Sequence, residues 1–235
     1  MNKFLVKYDF ETLITEDNLD ELINENNRVV EDAIDSAVEE VAGYVRHRYD
    51  FDQVFRVVIP YSDSTSFVVD DRVYWSEADY SITTAYTVGQ RVSFEGDIYS
   101  AIGTTTPGAF IPSEWTLIAE NDTFYTCILD SVGVLPTITA SFTAGDNRNP
   151  KIKEVTIDVV LYNIHSRLSP MNIPDVRRTR YDGFGNQNDS GNALRYLTKV
   201  QKGDITPNLP LIMPILQNSE RVSYGISSNA KYNAR

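Results

Sequence analysis

Residues 146–182 read DNRNPKIKEVTIDVVLYNIHSRLSPMNIPDVRRTRYD, and the reading of this stretch decides the fold. Pro150 stands where a helix begins, because the first N–H groups of a helix have no intrahelical partner to lose. Pro170 and Pro174 stand where it must have ended. The spacing predicts a helix over 151–168. At about 100° per residue its apolar side chains form two stripes. Ile152, Val155, Val159 and Tyr162 share one face; Ile157, Val160, Leu161, Ile164 and Leu168 share the opposite one. Thr156, Asn163 and Arg167 lie along one seam, and Glu154, Asp158 and His165 along the other. A surface helix shows a single stripe, so two stripes place this one between two layers. It is either an internal core helix or one with a face turned to a neighbouring subunit. Beyond it, 172–182 reads as an extended, proline-bounded segment. Its Arg177, Arg178 and Arg180 are candidates for ion pairs with acidic helices of the same or a neighbouring copy, with nucleic-acid contact as the other reading.

Working outward, 28–49 predicts a second helix with Asn27 as its cap. Val30, Ala33, Ile34, Ala37, Val38, Val41 and Val45 make one broad stripe, and Asp32, Asp35, Glu39 and Arg46 face away from it. Ala and Val permit a close approach, and the expected partner is the 151–168 helix. Thr15 reads as the N-cap of a shorter helix carrying Leu19, Leu22 and Ile23. Residues 4–12 read as an arm or a strand. A third helix is expected over 192–202, with Leu194, Leu197 and Val200 on one side and Gly203 as its stop. The glycine-rich loop 183–191 lacks the terminal Glu of a calcium loop. Residues 218–235 are polar and without periodicity; such a tail orders only on a partner, where Tyr224 and Tyr232 are the natural anchors.

Between 51 and 147 helical periodicity gives way to short β-branched and aromatic runs punctuated by Gly, Pro, Ser and Asp. Strands are expected at 55–59, 66–69, 72–75, 91–94, 97–102, 115–119, 124–129 and 137–142. The fold class is therefore α+β. A small helical bundle made from 1–60 plus 143–235 carries an inserted all-β domain at 61–142.

The net charge of the 235-residue chain is −12, which does not favour a nucleic-acid-binding surface. Twelve carboxylates and one basic residue fall between Asp9 and Glu40, whereas six basic residues face Asp204 and Glu220 between Arg195 and Arg235. Such polarity suits head-to-tail contact between copies. Cys127 is the one cysteine, so no internal disulfide forms. No run approaches the ~20 apolar residues of a membrane span, which implies a soluble product of the cytoplasm. With His47 and His165 the only histidines, a Cys/His metal cluster is excluded. No phosphate-cradling loop and no marked carboxylate pair is present, so neither an enzyme nor a cofactor is expected.

Two resemblances add to this reading. The elements RNP, IDVVLYNIHSRLSP, NIPDVRRTRYD and NALRYLTKVQKGDITPNLP resemble a bacteriophage head–tail adaptor family, closest to its versions in crAss-like and other Bacteroides-type phages. The likeness covers the first sixty residues and the last ninety. It implies a virion structural protein of the neck, assembled in the host cytoplasm as a homo-oligomeric ring, by the family's habit a dodecamer. Its partners would be itself, the portal protein and further neck or tail proteins, with DNA passing through the channel unbound. Acidic helices lining that channel would repel DNA within a Debye length of roughly 8 Å. The stretch TTAYTVGQRVSFEGDIYSAIGTTTPGAFIPSEWTLIA is similar to a small carbohydrate-binding module of the chitin-binding type, through Ala85, Tyr86, Gly89, Val92, Gly96, Tyr99, Pro112 and Trp115. It implies Tyr86, Tyr99 and Trp115 as core or as glycan- or partner-contacting aromatics, and gives the alternative of a glycan-binding protein acting through 61–142.

Overall fold

A computed structural model describes residues 3–24, 26–119, 124–183 and 192–212. A 3-10 helix (Lys7–Thr12) leads into α1 (Glu16–Ile23), α2 (Asn27–Val45) and the single turn α3 (Phe51–Val54). Nine short strands follow: β1 (Val58–Pro60), β2 (Ser66–Phe67), β3 (Arg72–Tyr74), β4 (Arg91–Phe94), β5 (Asp97–Ala101), β6 (Trp115–Ala119), β7 (Phe124–Cys127), β8 (Ser131–Val132) and β9 (Phe142–Ala144). The chain then returns to helix as α4 (Pro150–Leu168), α5 (Asp175–Asp182) and α6 (Ala193–Lys202). The architecture is α+β.

α4 starts where Asn149 accepts the N–H groups of Lys151 and Ile152, one residue before Pro150. Both of its stripes are buried within the chain apart from Tyr162, which is half-buried, and Leu168, which is exposed. Ile152, Val155, Val159, Ile157, Val160, Leu161 and Ile164 are all in the core. α2 packs on it through Ala33, Ala37, Val41 and Val45, and α5 and α6 cover the rest. The expectation that one stripe faces a neighbouring subunit is thereby corrected: α6 supplies Ala193, Leu197 and Val200 to the same cluster. Each such aliphatic side chain contributes about 1.5–3 kcal/mol by leaving water.

Three local readings also change. Residues 175–182 form a helix rather than an extended segment. Pro174 sits at its N-cap, Asp175 complements its first turn, and Gly183 closes it at φ 82°. α2 stops at Val45, and Asp50 caps α3 by accepting from the Gln53 N–H at 3.2 Å. The N-terminal segment is neither arm nor free strand: Lys3 bridges to Val58 before the 3-10 helix begins.

The β region holds three sheets. One has the order β1-β3-β7-β9, with β1 parallel to β3 and the other pairs antiparallel. β2 pairs with β8, a strand the periodicity did not predict. β4, β5 and β6 form an antiparallel meander. Its first turn needs positive φ at both central residues, supplied by Glu95 (54°) and Gly96 (92°). The strand expected over 137–142 begins only at Phe142, because Ile138 and Ser141 donate to Leu135 and Ile138 in a turn. β1 and β9 are the edge strands of the four-stranded sheet; the expected boundary at 60/61 falls at the end of β1, and that at 142/143 falls inside β9.

Candidate functional site

Arg177 and Arg180 of the α5 basic cluster lie along one wall of a cleft of about 610 Å³. The opposite wall is the turn between the 3-10 helix and α1, with Leu13 and Ile14 facing Pro174 and Val176. Arg180 Nε donates to Asp158 Oδ1 at 2.6 Å, and its Nη2 lies 3.5 Å from Glu154 Oε1. Both carboxylates are on α4, so Arg180 is used inside the chain, and its partners are on α4 rather than on the acidic N-terminal helices of the same or a neighbouring copy. Arg178 is likewise engaged. Arg177 donates to the Leu13 carbonyl at 3.2 Å and has no carboxylate partner among the described residues. Tyr181 links this helix to an acidic side chain of α2, donating to Glu40 Oε1 at 2.7 Å while stacking on Tyr162 at 3.9 Å.

The electrostatics of the seam follow from burial. Burial pushes the Asp158 carboxyl up, and the Arg180 guanidinium only partly opposes it. Burial, then Arg177, pushes His165 down, so its imidazole is neutral at pH 7. Burial, reinforced by Glu40, pushes the Tyr181 phenol up. The Cys127 thiol is buried and pushed up by desolvation, which disfavours the nucleophilic thiolate. Among the described residues no group of three or more His, Cys, Asp or Glu is placed to hold a metal.

The aromatic residues of the small module form its interior. Trp115 meets Tyr86 edge-on at 5.3 Å and stacks on Phe110 at 5.5 Å. Tyr80 stacks on Tyr86 at 5.4 Å, and the Tyr86 hydroxyl accepts the Ser81 N–H at 2.7 Å. Tyr86 and Trp115 are buried. As platforms for a sugar ring they are corrected, since their faces are already covered by other rings. Tyr99 is half-buried, edge-on to Phe110 at 5.0 Å. Tyr224 and Tyr232 lie outside the described residues.

The densest polar construction in the molecule escaped the sequence reading. Arg148 is buried, and its five N–H donors meet five acceptors. Nε and Nη2 donate to the two oxygens of Asp146, each at 2.8 Å. Nη1 and Nη2 donate to the two oxygens of Asp9, each at 2.7 Å, and Nη1 also reaches the Phe4 carbonyl at 2.8 Å. The Phe124 ring lies 4.5 Å below the guanidinium, and Lys153 adds a bond to Asp146 at 2.7 Å. Burial alone would raise Asp146, but Arg148 outweighs it and holds the carboxyl at about 2. Beside this clasp Arg72 threads from β3 back to the Gln53, Val54 and Arg56 carbonyls and to Asn147. Desolvation lowers its guanidinium to about 10. Together the two arginines tie the N-terminal segment, α3, the sheet and the start of α4 into one joint. The available signal was Asp146-x-Arg148 just ahead of a helix cap; its partner Asp9 is 139 residues away.

The acidic face of α2 is partly neutralised. Asp32, Asp35 and Glu39 are exposed, with Arg28, Lys3 and Arg46 respectively as ion-pair partners. Among the described residues no helix is long and apolar enough to cross a membrane. The chain matches no family model, no curated protein and no solved structure.

Proposed function

We propose that this chain is a bacteriophage head–tail adaptor, a virion structural protein that forms a homo-oligomeric ring between portal and tail with a channel for the genome. The observation that carries the proposal is the central helix. The segments that resemble the family come from the two ends of the chain, and α2, α4 and α6 pack them into one core. A rigid helical body with a β module clasped to it suits a part that bears load rather than one that turns over substrate. The burial of Tyr86 and Trp115 weighs against the glycan-binding alternative, which would leave ring faces open.

The test is the mass of the purified full-length protein by sedimentation or native mass spectrometry, followed by electron microscopy and co-purification with the portal protein of the same virus. Closed rings that bind the portal are the expected result. A chain that neither self-associates nor binds the portal would overturn the reading.

A further inference from the structure

Two exposed apolar patches of opposite charge lie on the two regions of the molecule. The first is a tip built from two loops. Val68–Asp71 is a tight turn closed by the Asp71 N–H on the Val68 carbonyl at 3.0 Å, with Asp70 at φ 71°. It is fastened to the neighbouring loop by the Val69 N–H on Asp130 at 2.9 Å and the Asp70 N–H on the Cys127 carbonyl at 2.8 Å. This rigid tip leaves Val69 47% and Leu129 57% exposed, with Val68, Ile128 and Val132 beside them. Asp70, Asp71 and Asp130 rim it, against the single cation Arg56 at 4.0 Å from Asp71.

The second patch is the corner between α4 and α5, next in sequence to Pro174, Val176 and Arg177 of the cleft wall. Met171 is 91% exposed and Val176 66% exposed, with Leu168 a turn away. Leu13 and Ile14 line the opposite wall with Glu11, and Arg177 brings a half-buried guanidinium that feels the Asp158 carboxylate but forms no ion pair among the described residues. Exposed apolar residues gathered at one corner with a polar rim mark a contact surface.

We propose that this corner receives the 68–71 and 128–130 tip of a second copy of the same chain. Each patch supplies what the other lacks: apolar side chains rimmed by carboxylates on one, and on the other an apolar cleft whose Arg177 guanidinium is in no ion pair among the described residues. Tip against tip would set like charges together, so the contact joins different patches on the two copies. A heterologous contact of this kind repeats around a ring. The inference rests on the adaptor reading and adds to it the residues through which neighbours meet.

The test is oxidative cross-linking of the full-length double variant Val69→Cys/Met171→Cys, with Cys127 left in place because it is buried. Both replaced residues are exposed, and circular dichroism checks that the fold is kept. The expected result is a ladder of covalent oligomers from the double variant, a cross-linked dimer from a mixture of the two single variants, and none from either alone. Leu129→Asp and Met171→Asp should each weaken self-association roughly tenfold or more. A single variant that cross-links to itself would overturn the proposal, since it would place like patches together. Rings that form without any ladder would overturn this contact and leave the adaptor reading standing. A chain that forms neither ring nor ladder would overturn both.

Discussion

Around α4 a single cluster of mostly aliphatic residues runs from Phe4 to Val200, so both ends of the chain share one core. The β module instead divides its apolar residues between two small clusters. One is centred on Phe67, Trp75 and Phe142, and the other on Tyr86 and Trp115 with Tyr80, Tyr99 and Phe110 around them. Its strands are two to five residues long, too short to bury much surface by pairing alone. The difference shows two ways to stabilise a fold. Long helices close-pack small side chains over many turns, whereas short strands lean on a few large rings, each burying about 150–250 Å². The first arrangement spreads its stability; the second concentrates it.

The largest effect should come from breaking the shared core. Val159→Asp and Ile164→Asp each place a carboxylate in a site with no exposure. Such a burial costs several kcal/mol, a large part of the 5–15 kcal/mol of a typical domain. Both variants should lose helical circular dichroism. A variant that kept the monomer fold while losing only self-association would show that one stripe is not core after all.

Next is the joint between the two regions. Arg148→Met leaves the buried Asp9 with Lys153 at 3.6 Å as its remaining cation, at a cost of about 3–5 kcal/mol. Adding Asp9→Asn should recover much of the loss in chemical denaturation, because the orphaned charge, not the missing bonds, dominates. Trp115→Ala should cost about 3–5 kcal/mol but only within the module. Two separated thermal transitions, with the helical one unmoved, are expected. A single lowered transition would show that the joint couples the regions fully.

A smaller effect comes from acid. Asp146 is held at about 2 in the folded chain, against an ordinary 3.8. Its stabilisation is therefore present above about pH 4 and lost as pH falls toward 2. It amounts to on the order of 2 kcal/mol, and Asp146→Asn should flatten that part of the acid unfolding curve. Smallest is Tyr181→Phe, which removes the bond to Glu40 but keeps the stack on Tyr162, for a loss of about 0.5–1.5 kcal/mol in the melt.

The sequence made the helical body legible because periodicity, proline and caps agree there. Pro150 marks the start of α4, and Gly203 ends α6 in the left-handed conformation expected of it. The meander was legible through its turn residues and its aromatic spacing. What stayed hidden was non-local. α5 has too few apolar residues to show a stripe, and its packing is set by Tyr162, Glu40 and Asp158 on other elements. β8 is two residues long and exists through its partner β2. The Arg148 clasp joins charges that look like solvated surface in the sequence, since nothing local distinguishes Asp9 from the acidic residues that follow it.

The four-stranded sheet also sets what it would take to part the two regions. Val58 and Thr143 stand level with each other through Arg72 and Thr126, on the outer strands of the order β1-β3-β7-β9. With strands spaced about 4.8 Å apart, that is a span of roughly 14 Å. A chain shorn of the module would have to bridge it, which takes about four or five extended residues. It would also lose the Phe124 ring beneath Arg148 and the Arg72 anchor on α3. A minimal helical version of this protein therefore has to be built with a short linker that carries an aromatic of its own to cover Arg148.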